Sequence, residues 1–96
     1  MMRQVNEVVI TGIIKKIYPQ IITPAGVLVS RFVLEHESSQ VENQQSRRVH
    51  CKMFCVLIGD KLDSLMLETQ VEVRGFLNIN LQKQLILHIN KIKKLD

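Results

Sequence analysis

The sequence predicts an all-β domain, a small barrel of five strands with one short helix between the third and the fourth. Three observations carry that expectation. Apolar residues alternate with polar ones in the third and fourth strand segments, giving each a core face and a solvent face. Glycines interrupt two segments that otherwise read as strand, which suits a sheet that must bend. The chain of 96 residues fits one hydrophobic core, so it reads as one domain over residues 1–96.

The first strand runs from Asn6 to Ile17. Val8, Ile10 and Ile14 share one face, and Val9, Ile13 and Ile17 the other, so cover on both sides is expected. Gly12 marks the bend. Pro19 and then Thr23-Pro24-Ala25-Gly26 read as loop and turn. Val27 to Glu37 is the second strand, with Leu28, Phe32 and Leu34 in one phase and Arg31, Glu35 and Glu37 in the other. Ser38 to Ser46 is polar and aperiodic and reads as the least ordered stretch. In the third strand, Arg47 to Ile58, an apolar row (Val49, Cys51, Met53, Cys55, Leu57) opposes Arg48, His50, Lys52 and Phe54. Gly59 breaks the strand and Asp60 offers a helix cap, with Leu62, Leu65 and Met66 at helical spacing, so a helix is expected over Asp60–Leu67. The fourth strand places Val71, Val73, Gly75, Leu77, Ile79 and Leu81 inward. The fifth, Leu85 to Lys93, does the same with Leu85, Leu87 and Ile89. Only Gln82-Lys83-Gln84 separates these two, which makes them a hairpin. Three meandering strands, a helical plug and a closing hairpin describe a five-stranded Greek-key barrel of the OB-fold type, with a small open α+β sheet as the competitor.

Composition narrows the function classes. Hydrophobic residues are 46% and charged residues 23%, a globular balance that excludes wholesale disorder. No apolar run approaches the roughly 18 residues of a membrane span, and no leader-like amino terminus is seen, so neither is expected. Thirteen Lys and Arg against nine Asp and Glu give a net charge of +4, a mild bias toward polyanions. Cys51 and Cys55 lie about 13 Å apart along a strand, whereas a disulfide needs less than about 7 Å, so the two do not bridge within one chain. Reduced thiols point to the cytoplasm.

No phosphate-cradling glycine loop, nucleophile elbow or zinc-protease motif occurs, so catalytic residues are not assigned and an enzyme is not expected. His36, His50 and His88 fall on three segments without metal-ligand spacing, and no metal or cofactor is expected. Glu35, Glu37 and Glu42 read as solvated charge. The row Arg48, His50, Lys52 and Phe54 is the strongest functional feature. Residues two apart on one strand face are about 6.6 Å apart, close to the step of an extended nucleotide chain. The cations suit phosphates, while His50 and Phe54 suit base stacking. The bland reading of the same row is a solvated strand face. Lys15, Lys16, Tyr18 and Lys83 occupy rim positions; solubility charge is the competing reading for the lysines, evenly weighted at Lys83, and a loop packing anchor is the first reading of Tyr18 beside Pro19. Arg31 and Arg74 are expected to pair with Glu35 or Glu72. Phe76 points outward, either as an anchor between two copies or to close the barrel's own face.

Five runs carry a resemblance: Thr23-Pro24-Ala25-Gly26, Phe32 to Glu37 (FVLEHE), Arg47 to Met53 (RRVHCKM), Val71 to Leu77 (VEVRGFL) and Leu85 to Ile92 (LILHINKI). In this order they resemble the primosomal replication protein N (PriB) family, relatives of the bacterial single-stranded-DNA-binding proteins. The resemblance spans nearly the whole chain. It implies a homodimer of OB folds that binds single-stranded DNA, stimulates a PriA-type helicase, meets a DnaT-type partner and helps restart stalled forks. It also adds Arg47 to the DNA-binding candidates, since the family is basic there. Other positions depart from the family: His50 stands for a tryptophan, Gln45 for a phenylalanine, Ile21 for a lysine and Glu37 for an arginine. Lys83 is alone in a turn that is lysine-rich in the best-known members.

Overall fold

A computed structural model describes residues 3–59 and 66–95. Six strands form: β1 (Val8–Ile17), β2 (Ile21–Ile22), β3 (Leu28–Glu42), β4 (Gln45–Ile58), β5 (Gln70–Ile79) and β6 (Leu85–Lys94). β1 pairs with β5 through its first half and with β3 through its second. β3 pairs with β4, and β5 with β6, both antiparallel. A short parallel seam between β4 and β6 closes the ring. Five strands thus make the expected barrel, while β2 adds only two rungs to the edge of β3.

Each bend has a local cause. β1 changes partners near Gly12, where an added Cβ would sit 2.5 Å from the Glu35 carbonyl oxygen. At Gly75 an added Cβ would collide with the carbonyl of His88. Both glycines let two backbones approach where the sheet curls. A register shift between Ile14 and Lys16 reverses the phase of β1, which turns Ile17 back toward the core. A second shift, opposite Arg74 and Gly75, lets Leu87, Ile89 and then Ile92 all pack inward. The core is Ile14, Phe32, Leu34, Cys55, Leu57, Val71, Val73, Leu87 and Ile89.

Several expectations change. Residues 38–46 are not disordered: β3 and β4 stay paired to Glu42↔Gln45. Asn43 and Gln44, at φ 50 and 65, form the tight two-residue turn whose twist matches antiparallel strands. The polar sequence hid this because both faces of the ribbon meet water, so no hydrophobic alternation marks it. Ile79 (54% exposed) and Leu81 (96%) lie beyond the barrel's end, as does Leu85, and do not reach the core. Val9 and Ile13 are exposed, so β1 is covered on one side within this chain. The helix expected over Asp60–Leu67 falls largely on residues 60–65, outside the described residues. Of the rest, Met66 packs against the core and its carbonyl accepts from the Thr69 N–H. Arg74 pairs with Glu7 (3.3 Å) rather than Glu72. Arg31 Nη2 reaches the Pro19 carbonyl instead of Glu35. Phe76 stacks flat on His88, with ring centroids 5.1 Å apart.

Candidate nucleic-acid interface

The β3–β4 ribbon begins as barrel wall and continues past it as an arm. It accounts for a radius of gyration of 14.8 Å, against about 13 Å for a compact domain of this length. Where the arm leaves the barrel, His36 Nδ1 donates to the Thr11 carbonyl (2.7 Å) and its Nε2 meets Ser38 Oγ (2.8 Å). That bond fastens the ribbon to β1, so the residues beyond it project from a fixed base.

The outward row of β4 follows from strand alternation. Cys55 and Leu57 are buried, so Arg48, His50, Lys52 and Phe54 point away from the core, and all four are exposed. Register places Ser39 opposite Arg48, Glu37 opposite His50, Glu35 opposite Lys52 and Val33 opposite Phe54. The row is therefore not a plain cationic stripe. His50 Nε2 lies 3.4 Å from Glu35 Oε1 and 3.9 Å from Glu37 Oε1. Two depressions adjoin this strip. One of about 320 Å³ is lined by Thr11, Gly12, Ile13, Lys15, Glu35, Glu37 and Gln70. The other, about 290 Å³, is lined by Glu37, Ser38, Ser39 and Arg48.

The remaining candidates divide. Lys16 Nζ sits 4.8 Å from the centre of the Tyr18 ring, with the Arg31 guanidinium 5.5 Å away. Tyr18 is thus held by two cations at the start of the β1–β3 connection. Lys15 is committed to Glu68 at 3.1 Å; that hydrogen bond, then the Glu68 charge, holds its ammonium above the usual range. Arg47 is one residue out of phase with the row. It lies on the opposite face of the arm, 3.4 Å from Glu42. Lys83 is exposed in the β5–β6 turn at φ 65, within a loop that Asn80 organises by accepting from the Gln82 and Gln84 N–H groups. The structure therefore groups Arg48, His50, Lys52 and Phe54, joins Lys16 to Tyr18, and sets Arg47 and Lys83 on other surfaces. Sequence reasoning put Glu35 and Glu37 on the polar face of their strand but missed that they meet His50 there. The signal was available only through the turn: once Asn43-Gln44 fixes the register, each pair follows by counting back.

Burial pushes the Cys55 thiol up to about 12, so it stays protonated and unreactive at neutral pH. Among the described residues, no helix is long and apolar enough to cross a membrane.

Comparisons with known proteins agree with this geometry. A family described as "another single-strand binding protein family" matches residues 6–91. The replication restart protein PriB of Shewanella piezotolerans is 33% identical over 79 residues, covering 74% of this chain and 78% of that protein. PriB of Photorhabdus laumondii is 31% identical over 99 aligned positions, covering 95% and 94%. Among solved structures, PriB from Ralstonia solanacearum superposes with a TM-score of 0.87 at 23% identity, covering 97% of this chain and all of that one. A deletion mutant of the Thermus aquaticus single-stranded DNA binding protein gives 0.78 at 20% identity, covering all of this chain and 53% of that one. The last two likenesses establish the fold, an OB barrel. With nearly its whole length matched, the chain belongs to this single-strand binding protein family and, within it, to the PriB replication restart proteins.

Proposed function

We propose that this chain binds single-stranded DNA along the outward face of β4 and serves as a non-enzymatic accessory protein of replication restart. The observation that carries the reading is the exposed row Arg48, His50, Lys52 and Phe54 on a projecting ribbon of a single-strand binding fold. Arg48 and Lys52 neutralise phosphates, and Phe54 and His50 offer ring faces to bases. Lys16 with Tyr18 and Lys15 extend the contact along β1, while Arg47 and Lys83 meet only a strand that wraps onto other surfaces of the chain. In the cytoplasm the protein acts as a homodimer that places two such rows on one strand, gaining through effective concentration. It aids assembly around a PriA-type helicase, whose unwinding it stimulates, and a DnaT-type partner.

The acidic residues favour a second reading. Glu35 and Glu37 stand beside His50, and Glu42 beside Arg47, which weakens attraction for phosphate. An adaptor that engages the helicase through protein contacts, with residual DNA binding, fits that mixture of charge. Fluorescence anisotropy with a labelled thymidine oligomer separates the two. With about three phosphates neutralised, log affinity falls with log salt at a slope near −2, and Arg48→Ala with Lys52→Ala brings it to about −0.7. A flat salt response removes the electrostatic surface. Capture of a PriA-type helicase without DNA, together with no measurable oligomer binding, establishes the adaptor instead.

A further inference from the structure

We infer that Glu35, Glu37 and His50 form a binding site for a divalent transition-metal ion of the zinc class. One ligand atom from each of the three lies within 4.8 Å of the others. Four ligands held at about 2.0–2.1 Å around a tetrahedral ion are roughly 3.3 Å apart. The His50 Nε2 to Glu35 Oε1 distance of 3.4 Å already has that value. The 3.9 Å to Glu37 closes with a small turn of an exposed glutamate side chain.

The backbone does the positioning. Glu35 and Glu37 alternate on one face of β3, and Glu37 faces His50 directly across a rung. The three Cα positions are therefore fixed by paired strands and not by a loop, and only side-chain rotation is needed on binding. The donor set selects the metal. Two carboxylate oxygens and one imidazole nitrogen suit zinc and its borderline neighbours better than magnesium or calcium, which prefer oxygen alone. Of the nearby cations, Lys15 is engaged by Glu68 (3.1 Å) and Lys52 faces Glu35 across a rung. Three protein ligands leave a fourth position open, and side-chain exposures of 26% to 63% keep it accessible to solvent.

A metal here changes the sign of the surface. Two carboxylates in the middle of the outward row offset part of the attraction that Arg48 and Lys52 exert on a phosphate, whereas the same pair holding a divalent ion is neutral and presents a Lewis acid. A phosphate oxygen of the bound strand completes the coordination. This second half rests on the DNA-binding reading; the metal site itself does not.

Zinc chloride titrated into the full chain by calorimetry, in a non-chelating buffer, tests the site. One ion per chain is expected, with Glu37→Gln and His50→Gln each weakening binding by at least about tenfold, since removing even an outer partner of a ligand costs 10–100-fold. Two separate variants, checked by circular dichroism, keep the result readable if one misfolds. Cys51→Ser retains binding, and cobalt shows ligand-field bands without a thiolate charge-transfer band. Equal affinity in wild type and both variants, or binding lost with Cys51→Ser, overturns the site. Oligomer anisotropy with and without zinc then tests the phosphate half. Affinity rises about tenfold, the size of one contact to a charged group, and a chelator reverses the gain. Unchanged affinity overturns phosphate ligation and leaves DNA binding standing. No oligomer binding in either condition overturns the DNA reading, while the calorimetric site remains.

Discussion

The two halves of the β3–β4 ribbon share one hydrogen-bonding ladder and differ in nearly everything else. In the barrel half, Phe32, Leu34, Cys55 and Leu57 are at most 5% exposed, so apolar burial holds the strands and sets their register. In the arm, residues 36–42 pair with residues 45–51, yet Val41 is 79% exposed. There the order comes from backbone pairing, a two-residue turn, the His36 tether and charge pairs such as Arg47–Glu42. The difference teaches where function can reside. Stability is concentrated in one half, which frees the other to carry charges and rings chosen for a ligand.

The sharpest way to break this comparison is to truncate one side chain in each half. Phe32→Ala is expected to cost about 3–5 kcal/mol, a large share of the roughly 5–15 kcal/mol available to a domain. Val41→Ala in the arm should change stability by less than about 0.5 kcal/mol. Urea unfolding measures both, and comparable losses would mean that the arm is part of the core.

The two cysteines probe the same contrast through pH. Cys55 in the barrel is held near 12 by burial, against an ordinary value of 9.0. Between these values the folded chain keeps a proton that the unfolded chain releases. Its contribution is therefore whole below about pH 9 and lost as pH rises toward 12. The urea midpoint should fall across that window more in the wild type than in Cys55→Val. At neutral pH a maleimide should label half-buried Cys51 and spare Cys55 until the chain unfolds.

The barrel half was largely legible in the sequence, and the arm was not. Phe32, Leu34, Cys55 and Leu57 announced themselves by alternation, because one face of that sheet is dry. Ser38 to Ser46 carries no such signal, since a ribbon wet on both faces has no periodic apolar residue to reveal it. Lacking the turn, the register could not be counted, and so the meeting of Glu35 and Glu37 with His50 stayed hidden. The outward row of β4 was readable because its opposite row is core. Ile79 and Leu81 show the reverse error. Their alternation is faultless, but Ile79 ends β5 at the barrel's rim and Leu81 already lies in the turn, and periodicity reports which face a residue shares without saying where the core stops.

The mildest test bears on the turn itself. Asn43 and Gln44 both adopt the left-handed backbone region, where glycine is favoured at the second position. Gln44→Gly is expected to raise stability by up to about 1 kcal/mol and leave oligomer affinity unchanged. A destabilised variant would show that the arm's register depends on the Gln44 side chain.

The claim that most needs testing is that nucleic acid lies on the outward row of β4. Backbone amide shifts of the isotope-labelled chain, followed during titration with a thymidine oligomer, read that surface residue by residue. The account predicts that the largest changes fall on Arg48, His50, Lys52 and Phe54, with smaller ones at Lys16 and Tyr18. Changes confined to the β5–β6 turn, or to Arg47 and its face of the arm, with the outward row unmoved, would contradict it.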